Sequence, residues 1–312
     1  MTRRAISLLV NPIAGGKPGS GPALDDDPER LRPDALASAL RDRGPEVEVH
    51  ELAEGDDAGA LARSAADAGN DVVVGGGDGT VSAVAAALLH HPDATLGILA
   101  LGSFNNIARG FGVPDTLDGA LDVIADGQTG AVDCGWVVGD GGDGTPFFEA
   151  AGVGLDAMGF IAVELAERRG RWHAMRAVWR GLRMRRTPMR VTIDGTAYRT
   201  GSPAVTVSNG PYHGLGFAVS ADADPSDGLL DVAVFHGMSR WEVLAHFGSV
   251  AGRRPRREPR VAGYRATQVE IDGTRRALPA HADGVSIGNT PVTFEVRPGA
   301  LRLFRARGSA SA

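Results

Sequence analysis

An α/β N-terminal domain with a parallel sheet, followed by an all-β C-terminal domain built as an antiparallel sandwich, is the fold class the sequence predicts. Three observations carry it. In the first 130 residues short apolar runs alternate with helix-length segments, the pattern of parallel βαβ units. After about residue 131 β-branched runs follow one another with Asp-Gly turn signals between them, as in a sandwich or barrel. Glycine-containing turns follow three of the N-terminal strands, at Asn11–Gly16, Gly75–Thr80 and Gly102–Asn106. In parallel sheets ligands bind beyond the carboxyl ends of the strands, so three such loops could line one crevice.

The N-terminal elements follow in order. Ala5–Val10 is a continuous apolar strand, Pro33–Arg43 a helix stopped by Gly44, and Val47–Leu52 a second strand. Asp57–Ala68 is a helix ended by Gly69-Asn70. Asp71–Val74 and Val81–Leu89 are the next strand and helix, Thr95–Leu101 the fourth strand, and Leu117–Ala125 a helix stopped by Gly127. Beyond these, Met189–Ile193 and Thr196–Thr200 read as a hairpin around Asp194-Gly195. Ala204–Ser208, Leu229–Phe235, Thr267–Ile271 and Val292–Val296 are further strands, with a second Asp-Gly turn at Asp272-Gly273. Two helices interrupt them, near Ile161–Arg186 and Arg240–Ala251. Pro18–Asp27 and the Ser/Ala tail after Gly308 read as mobile, and Gly-Asp-Gly-Thr at 142–145 reads as a turn.

The chain has 312 residues, 43% of them hydrophobic and 22% charged, which describes a globular protein large enough for two domains. Cys134 is the single cysteine, so no intrachain disulfide or cysteine metal site can form, which fits a reducing cytoplasm. Ala5–Val10 is too short for a secretory signal, and no stretch approaches the ~20 apolar residues of a membrane span. A net charge of −6 argues against nucleic acid as the main partner. Lys17 is the only lysine and sits beside the first glycine-rich turn.

The segment Asp71–Thr80, Asp-Val-Val-Val-Gly-Gly-Gly-Asp-Gly-Thr, carries the chemistry. A buried strand, a glycine turn and a helix start present unpaired backbone N–H groups that suit an anion, and glycines let a bulky ligand approach. Thr80 adds a hydroxyl donor. Asp78 would repel phosphate, so it has to act through a metal ion or by accepting a proton from an attacking hydroxyl.

These motifs resemble those of the diacylglycerol-kinase-type lipid kinases, the bacterial lipid kinase and sphingosine kinase superfamily. The matches run in order along the chain: Val10–Gly16, Gly76–Thr80, Leu101–Arg109, Gly152–Ala157, Ser208–Gly210, Asp227–Val232, His281–Gly284 and Pro298–Leu301. The resemblance implies a nucleotide-binding α/β domain over residues 1–131, joined by returning strands near 298–306, and a β-sandwich lipid-substrate domain over 132–297, with the active site between them. It implies ATP-dependent phosphorylation of a diacylglycerol-like lipid hydroxyl, with ATP and Mg²⁺ as cofactors. Carried over by position, Asn11, Gly76, Gly77, Asp78, Gly79, Thr80, Ser103 and Asn105 would hold the nucleotide. Asp224, Asp227 and the backbone of Leu229 would form a metal loop, and Asp78 and Asp283 are the candidate catalytic bases.

Two departures stand out. Asn106 replaces the family's usual aspartate, and Val285 replaces a glutamate taken as proton acceptor in many bacterial members; neither an amide nor valine can act as a base. His281, Glu149 and Asp156 are further candidates near the crevice. The departures motivate a second reading, a catalytically silent nucleotide- or lipid-binding protein. A third is an NAD-kinase-like enzyme, which shares Gly-Gly-Asp-Gly-Thr, although that family's usual Asn-Glu pair is not evident.

Residues 168–190 hold nine arginines and no acid, interleaved with Trp172, Met175, Val178, Trp179, Leu182 and Met184 at near-helical spacing. Such a helix can lie in an anionic membrane interface or pack with a solvated arginine face. With a lipid substrate in a bilayer, the expected location is cytoplasmic, peripherally associated with the inner face of the membrane.

Overall fold

The computed structural model describes residues 4–13, 24–25, 27–139, 142–157, 187–214, 217–218, 220–251 and 258–306. The chain divides into two compact units: Met1–Val132 together with Gly299–Ala312, and Asp133–Pro298. It passes between them twice, within strand β5 (Thr129–Gly139) and within β18 (Val292–Phe304).

The first unit is a parallel sheet flanked by helices. Its strands are β1 (Ile6–Val10), β2 (Val47–Glu51), β3 (Asp71–Gly76) and β4 (Leu96–Ala100), in the order β2-β1-β3-β4. The end of β18 extends this sheet, Leu303 pairing with Leu96 in parallel. β1, β3 and β4 are buried along their whole length, as strands covered on both faces must be. Helices α1 (Pro33–Asp42), α2 (Ala58–Asp67), α3 (Asp78–Leu88), α4 (Asn106–Gly110) and α5 (Leu117–Asp126) complete the unit. Asp57 caps α2 by accepting the Ala60 N–H, and Thr116 caps α5 by accepting that of Gly119. Gly127 ends α5 at φ +68°, a left-handed position that glycine occupies without strain.

Three expectations change here. β3 runs two residues beyond Val74 and α3 begins at Asp78 rather than Val81, so the turn between them is Gly77 alone. α4 is an additional short helix, begun by Asn105 in a left-handed conformation at φ 52°. The end of the Pro18–Asp27 segment is anchored rather than mobile: Leu24 is buried and its carbonyl accepts the Leu117 N–H.

The second unit has two antiparallel sheets. One contains β8 (Thr187–Ile193), β9 (Thr196–Ser202), β15 (Gln268–Asp272) and the start of β18, in the order β18-β15-β8-β9, with the hairpin of β5 and β6 (Thr145–Phe147). The other runs β14-β13-β10-β7-β16-β17. These are β7 (Ala150–Gly154), β10 (Ala204–Ser208), β13 (Leu230–Phe235), β14 (Val261–Ala266), β16 (Pro279–Ala282) and β17 (Val285–Asn289). Met189, Val191, Val269, Ile271 and Phe294 of the first sheet pack with Val153, Val205, Val207, Val232 and Ala280 of the second in one core, the interior of a sandwich. A two-stranded ribbon, β11 (Tyr212–His213) with β12 (Phe217–Ala218), and helix α6 (Arg240–Ala251) stand outside these sheets. The expected helix near Ile161–Arg186 lies outside the described residues, as do Lys17 and the arginines at 253–257. No helix among the described residues is long and apolar enough to cross a membrane.

Candidate functional site

In the first unit the glycine-rich motif sits where β3 hands over to α3. Gly77 is the N-cap at φ −89° and ψ 177°, an ordinary extended conformation. The reason for glycine is therefore close approach, not unusual torsion. A Cβ on Gly76 would fall 2.9 Å from the Thr80 Cβ, and one on Gly77 3.2 Å from the Gly102 Cα. A Cβ on Gly102 would meet the Gly77 Cα at 2.4 Å, so the loops after β3 and β4 touch backbone to backbone. Gly79 differs from these: a Cβ there meets nothing within 4 Å.

Asn11, after β1, completes the group. Its N–H donates to the Gly75 carbonyl at 2.8 Å, and its Nδ2 donates to Thr80 Oγ1 at 3.1 Å. The side chain of Asn105 is spent on its own loop: Oδ1 accepts the Gly102 N–H, and Nδ2 donates to the Ala100 and Gly102 carbonyls. Ser103 is half-buried in the same loop. The three loops predicted to converge do so for Asn11, Gly76–Thr80 and Gly102–Asn105, while Ala14–Gly16 lie outside the described residues. Beside Asn11, Gly79 and Thr80 opens a cavity of about 570 Å³, also lined by Leu52, Glu54 and Asp56. That volume falls in the range of small-ligand sites.

Asp78, the first residue of α3, reaches across to the start of α4. Its Oδ1 accepts the Ile107 N–H at 3.0 Å, placing the carboxylate at the positive end of α4. Burial raises its pKa, opposed by these backbone N–H groups and by Arg109. Asn106 is buried at the start of the same helix.

Within the second unit Asp283 and Gly284, at φ 43° and 81°, form the two-residue turn between β16 and β17. The Asp283 carboxylate accepts three backbone N–H groups, from Phe148 at 2.7 Å, Glu149 at 2.9 Å and Ala150 at 3.1 Å. Burial nevertheless pushes its pKa up to about 6. Val285 next to it is exposed, and Glu149 is half-buried.

The predicted metal loop is a hydrogen-bonded turn. Asp224 Oδ1 accepts the Ser226 N–H and Asp227 Oδ1 that of Leu229, both at 2.9 Å. The second Asp227 oxygen is paired with the Arg265 guanidinium. An all-oxygen set suits Mg²⁺ or Ca²⁺ in kind. In this structure the half-exposed Arg265 guanidinium occupies the Asp227 oxygen that a cation would use.

Sequence reasoning missed Asp133 and His213. Asp133 is buried in β5; its Oδ2 accepts the Gly228 N–H at 2.7 Å, and its own N–H donates to the Pro225 carbonyl at 2.7 Å. Asn209 Nδ2 donates to the carbonyls of Asp133 and Phe148, both at 3.2 Å. This network links the motifs at Asn209, Gly228 and Asp283. Its signal was available: Asp133 is the one carboxylate in the apolar run 131–139. His281 is fully buried and points to Asp156, not to an open surface. Burial opposes ionisation of Asp156, but His213 and His281 outweigh it and hold the carboxyl below its ordinary range.

Residues 5–137 match the family model described as the diacylglycerol kinase catalytic domain, and residues 151–305 match the YegS C-terminal NAD kinase beta sandwich-like domain. A protein of Mycobacterium tuberculosis named diacylglycerol kinase is 31% identical, covering 97% of this chain and 95% of its own. A probable lipid kinase YegS-like protein of Citrobacter koseri is 29% identical over 91% of this chain and 93% of its own. The crystal structure of a putative diacylglycerol kinase from Bacillus anthracis shares the fold, with a TM-score of 0.74 at 22% identity, over 98% of this chain and 99% of that one. With family matches to both halves and a relative aligned along nearly its whole length, the chain belongs to the diacylglycerol kinase and YegS-like lipid kinase family.

Proposed function

We propose that this protein transfers the γ-phosphate of ATP to the hydroxyl of a diacylglycerol-like lipid. The observation that carries the reading is the N-terminus of α3, which opens at a side-chain-free N-cap beside a cavity of about 570 Å³. Phosphoryl transfer demands positioning and charge neutralisation more than covalent chemistry. The helix-start amides of Asp78, Gly79 and Thr80 would receive phosphate oxygens, with the Thr80 hydroxyl fixed by Asn11. Mg²⁺ accompanying the nucleotide would supply neutralising charge. Asp78 would tie the phosphate loop to α4, and Ser103 would complete the phosphate cradle.

Asp78 and Asp283 are the candidate proton acceptors. Both carboxylates are raised in pKa by burial, which brings a carboxylate closer to useful basicity near neutral pH, and both are already held by backbone N–H groups. Association with an anionic membrane surface rests on the arginine-rich run 168–190 of the sequence, and exposed Trp241 and Leu244, one turn apart on α6, support an apolar contact. The silent-binder reading draws on Asn106 and Val285, which remove two acids from the family pattern.

The test supplies labelled ATP with diacylglycerol, sphingoid base, polyprenol and NAD in parallel. Label in a lipid-extractable product supports the proposal. Label in NAD alone favours the NAD-kinase-like reading, and nucleotide binding without transfer favours the silent one.

A further inference from the structure

We infer that the second unit carries a zinc-class divalent metal site formed by Asp156, His213 and His281. The three residues come from separate segments: the helical residues directly after β7, the short strand β11, and β16. All three are buried, at 6%, 6% and 0% exposure, and their ligand atoms lie within 4.8 Å of one another. The carboxylate presents one oxygen to each ring, with Oδ2 3.3 Å from His281 Nε2 and Oδ1 3.5 Å from His213 Nε2. The imidazoles stand edge to face, their centroids 5.9 Å apart.

The spacing matches the chemistry. Zinc binds nitrogen and oxygen at about 2.0–2.2 Å, which sets neighbouring ligand atoms a little over ~3 Å apart in a tetrahedron. The two carboxylate–imidazole distances are close to that length but involve different carboxylate oxygens, so for an ion to seat the carboxylate has to turn one oxygen toward both rings or chelate through both. Two imidazoles and one carboxylate favour a borderline transition ion over Mg²⁺ or Ca²⁺, which take oxygen ligands. The set thus differs in kind from the all-oxygen Asp224–Asp227 turn.

Two surrounding features fit a ligand shell. Thr206 Oγ1 donates to Asp156 Oδ2 at 3.1 Å and orients the carboxylate. Gly152 leaves the necessary room: a Cβ there would fall 2.0 Å from Asp156 Oδ2 and 3.0 Å from His281 Nε2. One contact has to yield. The Gly284 N–H faces His281 Nδ1 at 3.4 Å, and coordination through Nε2 puts a proton on Nδ1. The competing arrangement is a proton-bridged Asp–His–His triad with no ion.

The experiment uses the full chain, stripped with a chelator and dialysed against equimolar Zn²⁺, or Co²⁺ as a spectroscopic probe. One metal per chain by elemental analysis is expected, with a visible d–d band for Co²⁺. His213→Ala and His281→Ala should each abolish both, and Thr206→Val should weaken affinity about 10–100-fold. Asp224→Asn with Asp227→Asn should leave stoichiometry unchanged. Should a histidine variant fail to fold, the Co²⁺ spectrum of the unmodified chain decides between nitrogen–oxygen ligation and none. The inference is overturned if the stripped chain takes up no stoichiometric metal, or if uptake survives loss of both histidines.

Discussion

At the scale of single residues, glycine does two different jobs in one motif. Gly76 and Gly102 are required by packing, since an added methyl collides with Thr80 or with the facing loop, and a methyl on Gly77 would be tight, 3.2 Å from the Gly102 Cα. Gly79 has no such neighbour, and it sits inside the first turn of α3, where alanine is ordinarily the better helix former by about 1 kcal/mol. A glycine the fold does not need is explained by what has to approach it. Gly79→Ala should therefore leave the melting temperature unchanged or raised while weakening ATP binding, whereas Gly102→Ala should destabilise by about 1–3 kcal/mol. Calorimetry and melting curves on the two variants check this, and a Gly79→Ala protein with unchanged ATP affinity would contradict it. The missing acids belong to the same scale. Losing an efficient general base costs about 10²–10⁴-fold in rate. Asn106→Asp combined with Val285→Glu should raise kcat if the remaining groups keep the family geometry; a folded double variant with no gain would mean other groups have taken over or the site is silent.

At the scale of elements, legibility followed composition. β1, β3 and β8 could be read because Val, Ile and Leu either fill a strand buried on both faces or alternate along a half-buried one. β7 and β16, Ala-Ala-Gly-Val-Gly and Pro-Ala-His-Ala, carry little intrinsic strand preference. They pair antiparallel with each other, and β10 holds the other edge of β7, so context decides them. The glycine-rich loop was legible as strand, glycine and helix. That Asp78 caps α4 was not, because α4 is five residues long and begins from a left-handed Asn105. Asp133 stood out in its apolar run, but its partners could not be read for a similar reason: they lie 76 and 95 residues away. Asp133→Ala would strand the Gly228 N–H and should cost about 1–3 kcal/mol. Urea unfolding measures this, and a loss below about 0.5 kcal/mol would show that solvent replaces the carboxylate.

At the scale of the molecule, the first unit is assembled from both ends of the chain. Leu301, Leu303 and Phe304 are buried in it, and β18 extends its parallel sheet beside β4. Burial of each such side chain stabilises by about 1.5–3 kcal/mol. Truncation after Pro298 should remove the cooperative melting of the first unit and with it ATP binding; a truncated chain that still melts cooperatively and binds ATP would refute that dependence. The fold and the family are thus set by features spread along the whole chain, while the proposed reaction would rest on a few backbone amides and carboxylates. The most direct measurement of that reaction is transfer of ³²P from γ-labelled ATP to diacylglycerol presented in anionic vesicles, in the unmodified protein and in Asp78→Asn. Labelled phosphatidic-acid-type product is expected from the former and its loss in the latter. A folded, ATP-binding protein that labels no lipid, or an Asp78→Asn variant with unchanged turnover, would contradict it.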